Sequence, residues 1–316
     1  MGGAVAGAAP RHPAPPRRAA ARRPPPPPPL APAAAWRRIV WGMGDQNYEL
    51  FSDRRWRQMP MRHVRYFVPW DLRREPRYLR AADRWLRTAR RAHAIPLIAF
   101  TQSDRRGHSR DLPTRAQYRH NVGWIVHRYS WVREWTPWNE ANLLDQPTLR
   151  SPGRTAEFWK YLRHRCPTCT VTSPSLVGYS HSPTRWLHRF LRAAKGLNGP
   201  WALHLYNDVN EFHPYALSRF VRLLRGPLWV TEANGWLRFF PRLKLNYRRQ
   251  ERAVRYLFTL AAQAYPRVQR WYLYQWFGSP GHLRWDSGLV DRHARARPAM
   301  RVVQRRVLPR GVAGIR

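Results

Sequence analysis

Along residues 36–306 two hydrophobic rhythms alternate. Short apolar runs at residues 39–43, 63–68, 95–100, 131–140, 170–174, 202–206, 227–232 and 268–276 read as eight strands. Between them, apolar residues spaced three and four apart mark helices at 53–58, 76–93, 114–127, 155–165, 183–194, about 214–224, 247–264 and 297–306. The stretch 76–93 shows the spacing well, with Leu79, Ala82, Leu86 and Ala89 on one face. Eight strands, each followed by a helix, predict a parallel α/β sheet, and at this count a closed (β/α)8 TIM barrel. The rival is a doubly wound open sheet, which needs a glycine-rich phosphate turn after the first strand. Trp41-Gly42-Met43-Gly44-Asp45-Gln46 does not continue as Gly-x-Gly-x-x-Gly. With no internal repeat, a single domain over 36–316 is expected.

Length agrees with this: 316 residues accommodate a barrel of roughly 250 residues and a tail. Residues 1–35 are that tail, built of Ala, Arg and Pro with six consecutive prolines at 24–29. Such a segment cannot form a packed core and is expected to be disordered or polyproline-like. Ala33-Ala34-Ala35 resembles a small-residue cleavage site, but proline fills the place of a signal peptide's apolar middle, so the secretory reading has no positive support. No apolar run reaches the 18 to 20 residues, roughly, of a membrane span. The net charge of +39 is almost entirely Arg, with Lys only at Lys160, Lys195 and Lys244. Part of that excess reads as the coding bias of a GC-rich genome. The charge still predicts adventitious, salt-dependent binding to polyanions. The two cysteines, Cys166-Pro167-Thr168-Cys169, follow a helix and lead into a strand, unlike a redox pair that opens a helix. They predict a small local disulfide or a free pair. Two cysteines do not make a four-ligand zinc site. No Walker, EF-hand or His-x-x-x-His pattern occurs, so neither metal nor other cofactor is implied.

Chemistry is concentrated at strand ends. Trp135-Thr136-Pro137-Trp138-Asn139-Glu140 closes the fourth strand on an amide and a carboxylate, and Trp229-Val230-Thr231-Glu232 closes the seventh on another carboxylate. Strand ends gain little stability from Glu. Two such carboxyls at the same face are what glycosidic cleavage requires: one protonates the leaving oxygen, the other attacks or activates water. Alternation also places His204 and Tyr206 on one side of the sixth strand.

This ordered pair resembles the retaining glycoside hydrolases of the large (β/α)8 clan. The resemblance implies an O-glycosyl hydrolase acting on an oligosaccharide, polysaccharide or glycoside, with Glu140 as acid/base and Glu232 as nucleophile. It further implies that Asn139 binds the sugar 2-hydroxyl and Arg65 and Tyr206 hydrogen-bond the nucleophile. His204 would neighbour the sugar and Trp276 would stack on it. Trp138, beside the Asn-Glu pair, is a second candidate platform. Loop residues Asp45, Gln46, Asn47, Gln102, Ser103 and Asp104 are candidates for sugar hydroxyls or plain turn residues. Glu134, deep in the fourth strand, is expected to be a buried partner for an arginine. The alternative function is a catalytically inactive barrel that binds carbohydrate or polyanions.

Because the tail lacks apolar periodicity, deleting residues 1–34 should leave the melting temperature and glycosidase activity nearly unchanged, as thermal unfolding and a rate assay on the shortened chain would show.

Overall fold

The computed structural model describes residues 38–178, 183–197 and 199–308. The expected tail over 1–35 and the last residues of the expected domain lie outside them. One parallel sheet organises the chain. Its strands are β1 (Val40–Gly44), β2 (His63–Pro69), β3 (Ile95–Thr101), β4 (Glu134–Thr136), β5 (Thr170–Val171), β6 (Leu176–Val177), β7 (Trp201–His204), β8 (Leu228–Ala233) and β10 (Val268–Tyr274). A short antiparallel pair, β9 (Arg238–Phe239) with β11 (Trp285–Asp286), stands apart. The helices are α1 (Arg54–Gln58), α2 (Pro76–Arg91), α3 (Arg115–Arg128), α4 (Pro152–Arg165), α5 (Pro183–Ala194), α6 (Tyr206–Asn210), α7 (Tyr215–Leu223), α8 (Tyr247–Ala264) and α9 (Pro298–Val307). No described helix is long and apolar enough to cross a membrane.

Sequence explains the helix starts. Thr114 and Gln117 form a reciprocal capping box at α3, and Asn246 and Asp53 cap α8 and α1 through their side chains. Pro76, Pro152 and Pro298 occupy first helical positions, where no backbone donor is missed.

The sheet runs β5-β4-β3-β2-β1-β10-β8-β7-β6 and curls into a barrel. Its ends meet inside the fifth strand position, which the sequence read as one strand over 170–174. That reading is corrected: β5 pairs with β4, whereas β6 pairs with β7. Between the halves, the Thr172 and Ser175 amides donate to Trp135 and Trp138 on one side (2.9 and 2.8 Å), and the Ser173 amide donates to Pro200 on the other (2.9 Å). Ser173 Oγ adds a bond from the Ala202 amide at 2.9 Å. The strand splits because its backbone must serve neighbours that diverge with the barrel's curvature.

Alternation divides the core. Val64, Ile98, Trp135, Val230 and Trp271 face the helices, within the main apolar cluster. Leu97, Trp229 and Tyr272 face inward and pack together inside the barrel. The β1 glycines make room for inward rings: a Cβ on Gly42 would lie 2.6 Å from the Tyr272 ring, and one on Gly44 2.6 Å from that of Tyr274. Glu134 also points inward and accepts from Arg270 at 2.6 Å, the arginine partner expected of it. Cys166 and Cys169 are joined as a disulfide.

Other strand boundaries also differ from the expected ones. β4 stops at Thr136, β7 at His204 and β10 at Tyr274, because the chain turns into mouth loops before the sequence pattern ends.

Ser173→Ala removes the acceptor for a buried amide at the seam. It should cost about 1–3 kcal/mol, read as a lowered denaturation midpoint with an unchanged slope.

Candidate active site

Glu140 lies beyond the end of β4, and its backbone is held from both sides. The Asn139 amide donates to the Phe100 carbonyl in β3 (2.6 Å), and the Ala141 amide donates to Ser175 in the seam (2.9 Å). Between them Glu140 adopts φ of 49°, in the left-handed region that non-glycine residues seldom enter. Such conformations persist where surrounding contacts over-determine them.

Glu232 is placed by a bulge. Trp229 faces inward, so strict alternation would send Glu232 outward with Val230. The register slips on both neighbours: Val230 pairs with Trp271 and Ala233 with Leu273, while Val230 pairs with Leu203 and Glu232 with His204. The extra residue re-aims Glu232 into the mouth, a common use of bulges near functional sites.

The structure brings Arg65, Asn139, Glu140, His204, Tyr206 and Glu232 together at the C-terminal end of the strands. Arg65 is fully buried and hydrogen-bonds Glu232 Oε1 through Nη1 and Asn139 Oδ1 through Nη2. Tyr206 Oη donates to Glu232 Oε2 at 3.0 Å. Tyr206 does so from the first turn of α6 rather than from the strand expected over 202–206. His204 Nδ1 lies 2.9 Å from Glu140 Oε1, and its Nε2 is 3.7 Å from Glu232 Oε1. One oxygen from each carboxylate and one nitrogen of His204 all lie within 4.8 Å of one another.

The electrostatics separate the two acids. Burial pushes the Glu140 carboxyl up to about 7, against a smaller lowering by Arg65. Glu232 instead holds Arg65 and the Tyr206 hydroxyl directly. Burial pushes His204 down to about 3, so its ring is neutral and adds no cation that would ionise Glu140. Glu140, His204 and Glu232 are also the one group with metal-ligand spacing among the described residues. The guanidinium on Glu232 opposes a metal there, since a cation would have to share that carboxylate with Arg65.

Two expected platforms are corrected. Trp138 and Trp276 have no exposed surface and offer no ring face to a ligand. Trp138 turns into the helix layer, where its indole N–H donates to Gln146 (3.0 Å) and its ring stacks on Phe158. Trp276 lies past the end of β10, where its indole donates to Asp53 (3.1 Å) and its amide to Asp45 (2.9 Å). The aromatic residues beside Glu232 are others: Tyr206, Trp236 and Tyr274 form a cluster against which Phe67, Phe239 and Trp285 pack. Tyr274 was legible as an inward residue, two positions along β10 from Tyr272. Trp236 and Trp285 were not, because loop folding brings them there.

The loop polar residues mostly serve the scaffold. Asp45 accepts from the amides of Asn47, Trp276 and Phe277, tying the first loop to the last. Gln46 exchanges two bonds with the Phe67 backbone, and Asn47 caps the turn at Glu49. Gln102 accepts from Gln146, and Ser103 donates to Asp71. Asp104 remains exposed.

The fold is shared with known enzymes at low sequence identity. A family 39 glycoside hydrolase from Bacteroides cellulosilyticus superposes with a TM-score of 0.63 at 14% identity, over 86% of this chain and 64% of that one. The chain thus spans under two thirds of that relative's length. A psychrophilic family 10 endo-β-1,4-xylanase superposes with a TM-score of 0.61 at 12% identity, over 86% of this chain and 98% of the other. A family 113 β-1,4-mannanase gives 0.57 at 14%, over 86% and 99%. At such identities the likeness is one of fold. No curated protein matches the sequence. The family described as glycosyl hydrolase catalytic core matches residues 124–290, which include Glu140, His204, Tyr206 and Glu232. That match spans more than half of the chain, on a barrel whose mouth holds two facing carboxylates: the protein belongs to the glycosyl hydrolase catalytic core family and is a glycoside hydrolase.

Proposed function

We propose that this glycoside hydrolase works with retention of configuration, by double displacement, with Glu232 as nucleophile and Glu140 as acid/base. The observation that carries this is a pair of carboxylate oxygens within 4.8 Å of each other, Glu140 raised by burial and Glu232 bonded to Arg65 and Tyr206. Inverting enzymes separate their carboxyls by roughly 6.5–9.5 Å to admit a water, and retaining ones by about 5 Å. The short spacing matches the retaining class, in which one carboxylate attacks the anomeric carbon directly.

In the first step a Glu232 oxygen bonds the anomeric carbon as the glycosidic bond breaks, and the Glu140 proton passes to the leaving oxygen. In the second, Glu140 takes a proton from water, the water oxygen bonds the anomeric carbon, and Glu232 is released. Arg65 and Tyr206 stabilise Glu232 as an anion and as a leaving group. Arg65 also occupies Asn139 Oδ1, which leaves the Asn139 amide N–H groups to donate to the sugar 2-hydroxyl. Burial raises the Glu140 carboxyl to about 7, so a large share of it still carries the proton that an acid needs near neutrality. The complete set of both glutamates, Asn139 and Arg65 argues against the inactive alternative.

The two glutamate variants should behave differently because each residue controls a different bond. Glu232→Ala should abolish turnover, and azide should restore it with inverted product. Glu140→Ala should spare dinitrophenyl glycosides, whose leaving group needs no proton, and azide should give the retained product. Chiral analysis of the glycosyl azides decides the assignment, and swapped outcomes would reverse it.

A raised Glu140 pKa also fixes a pH limb. Above about pH 7 the carboxyl is ionised and has no proton to give, so the rate on poor leaving groups should fall about tenfold per pH unit. The glycosylation rate on dinitrophenyl glycosides, measured before steady state, should lack this limb. An identical decline for both substrates would remove Glu140 from the acid's role.

A further inference from the structure

The β9–β11 pair has two unlike sides. Inward, Phe239 and Trp285 join the aromatic cluster beside Glu232. Outward, the ribbon continues past that register, with Phe240 and Arg284 bonded backbone to backbone (2.8 Å). Phe239 and Leu243 exchange two further backbone bonds (2.8 and 2.7 Å), and the Asn246 amide returns to Leu237 (2.9 Å). This well-bonded turn carries Phe240, Leu245 and Leu283, which are 61%, 55% and 46% exposed.

Apart from Asp286, which is buried and bonded to Arg297, its charge is of one sign. No acidic residue occurs between Glu232 and Glu251, whereas Arg238, Arg242, Lys244, Arg248 and Arg249 do. Arg284 stands over the Phe239 ring, 5.2 Å from its centre, and its Nε–H donates to the Phe240 carbonyl at 2.8 Å. A carbonyl does not neutralise the guanidinium. Among the described residues, Arg242 alone of these has an acidic partner in an ion pair, Glu211.

Exposed Phe and Leu fixed among cations suit a surface that is apolar beneath and anionic above. Basic residues near an anionic leaflet each add attraction, and the apolar side chains enter the acyl boundary. A second copy fits poorly, because this basic patch would meet a chain of net charge +39. The arginine-bearing segment 1–35 is repelled for the same reason.

We propose that this ribbon tip docks the barrel on an anionic lipid surface. The mouth beside it then takes glycosides presented at that surface, a consequence that rests on the catalytic reading above, whereas the docking does not.

The test uses the full chain with vesicles of phosphatidylcholine, with and without phosphatidylglycerol, at physiological salt. The parent should sediment with the anionic vesicles. Phe240→Ser combined with Leu283→Ser should weaken that binding about tenfold while leaving the rate on soluble aryl glycosides unchanged. Ile95→Ser supplies the control. It removes a side chain 41% exposed at the opposite end of the barrel, and should bind like the parent. Parent-like binding by the double variant would reduce the effect to general charge and overturn the proposal, as would an equal loss in Ile95→Ser. Loss of soluble-substrate turnover in the double variant would make the tip part of the sugar cleft and overturn it too. Preference of the tip for soluble dextran sulfate over vesicles would assign it to an anionic polysaccharide instead. A parent that binds through the tip yet cleaves no aryl glycoside would fail the catalytic reading and leave the docking supported.

Discussion

The Arg65 guanidinium, buried without exposed surface, is the constraint on which the mouth depends. An unpaired charge at such depth costs several kcal/mol, roughly, so it must find anions or strong acceptors. Its partners come from β8 and from the loop after β4, far apart in sequence. They converge only when the sheet has closed. The same closure places His204 between the two carboxylates. Removing either Glu232 or Arg65 would strand the other charge, so folding and chemistry share one interaction here.

A second, partly exposed pair repeats the device lower in the barrel. Arg270 meets Glu134 and stands over the Trp229 ring, 3.8 Å from its centre. The two arginines thus stack an interior that is polar along its axis and aromatic at its walls. The acidic residues follow this logic across the chain. All but Asp83, Glu134, Glu157 and Glu251 lie at strand ends or in the connections on the mouth side. The loops at the other end of the barrel carry none. In a chain so rich in arginine, carboxylates are concentrated at the end where barrel enzymes carry out their chemistry.

The aromatic residues divide by distance from that end. Trp138 and Trp276 are consumed by packing, with their indole N–H groups satisfied inside the protein. Tyr206, Trp236, Tyr274, Phe239 and Trp285 instead gather beside Glu232. Composition could not sort these groups, because a tryptophan near a catalytic residue in sequence can turn either way once its strand ends.

The sequence alone determined the barrel, since a count of eight apolar runs separated by helical periodicity admits few other parallel arrangements. It also marked Glu140 and Glu232 as anomalous strand-end carboxylates. Arg65 came from the family resemblance, and β2 carries it inward in unbroken register with β3. Tertiary structure decided the rest. Alternation counted from Trp229 would turn Glu232 outward, and only the bulge against β7 and β10 brings it back. Glu140 needed the seam of the split fifth strand to hold its left-handed backbone, and no local pattern announces such a split. Tyr206 reached Glu232 from a helix rather than a strand, so the expected neighbour arose from a different geometry. The failed platforms share one cause: the indoles of Trp138 and Trp276 follow loop paths fixed by Gln146, Asp45 and Asp53. Local periodicity reports which face of a regular element is buried. It does not report where the chain goes once that element has ended, and most of this site lies at or just beyond the ends of strands.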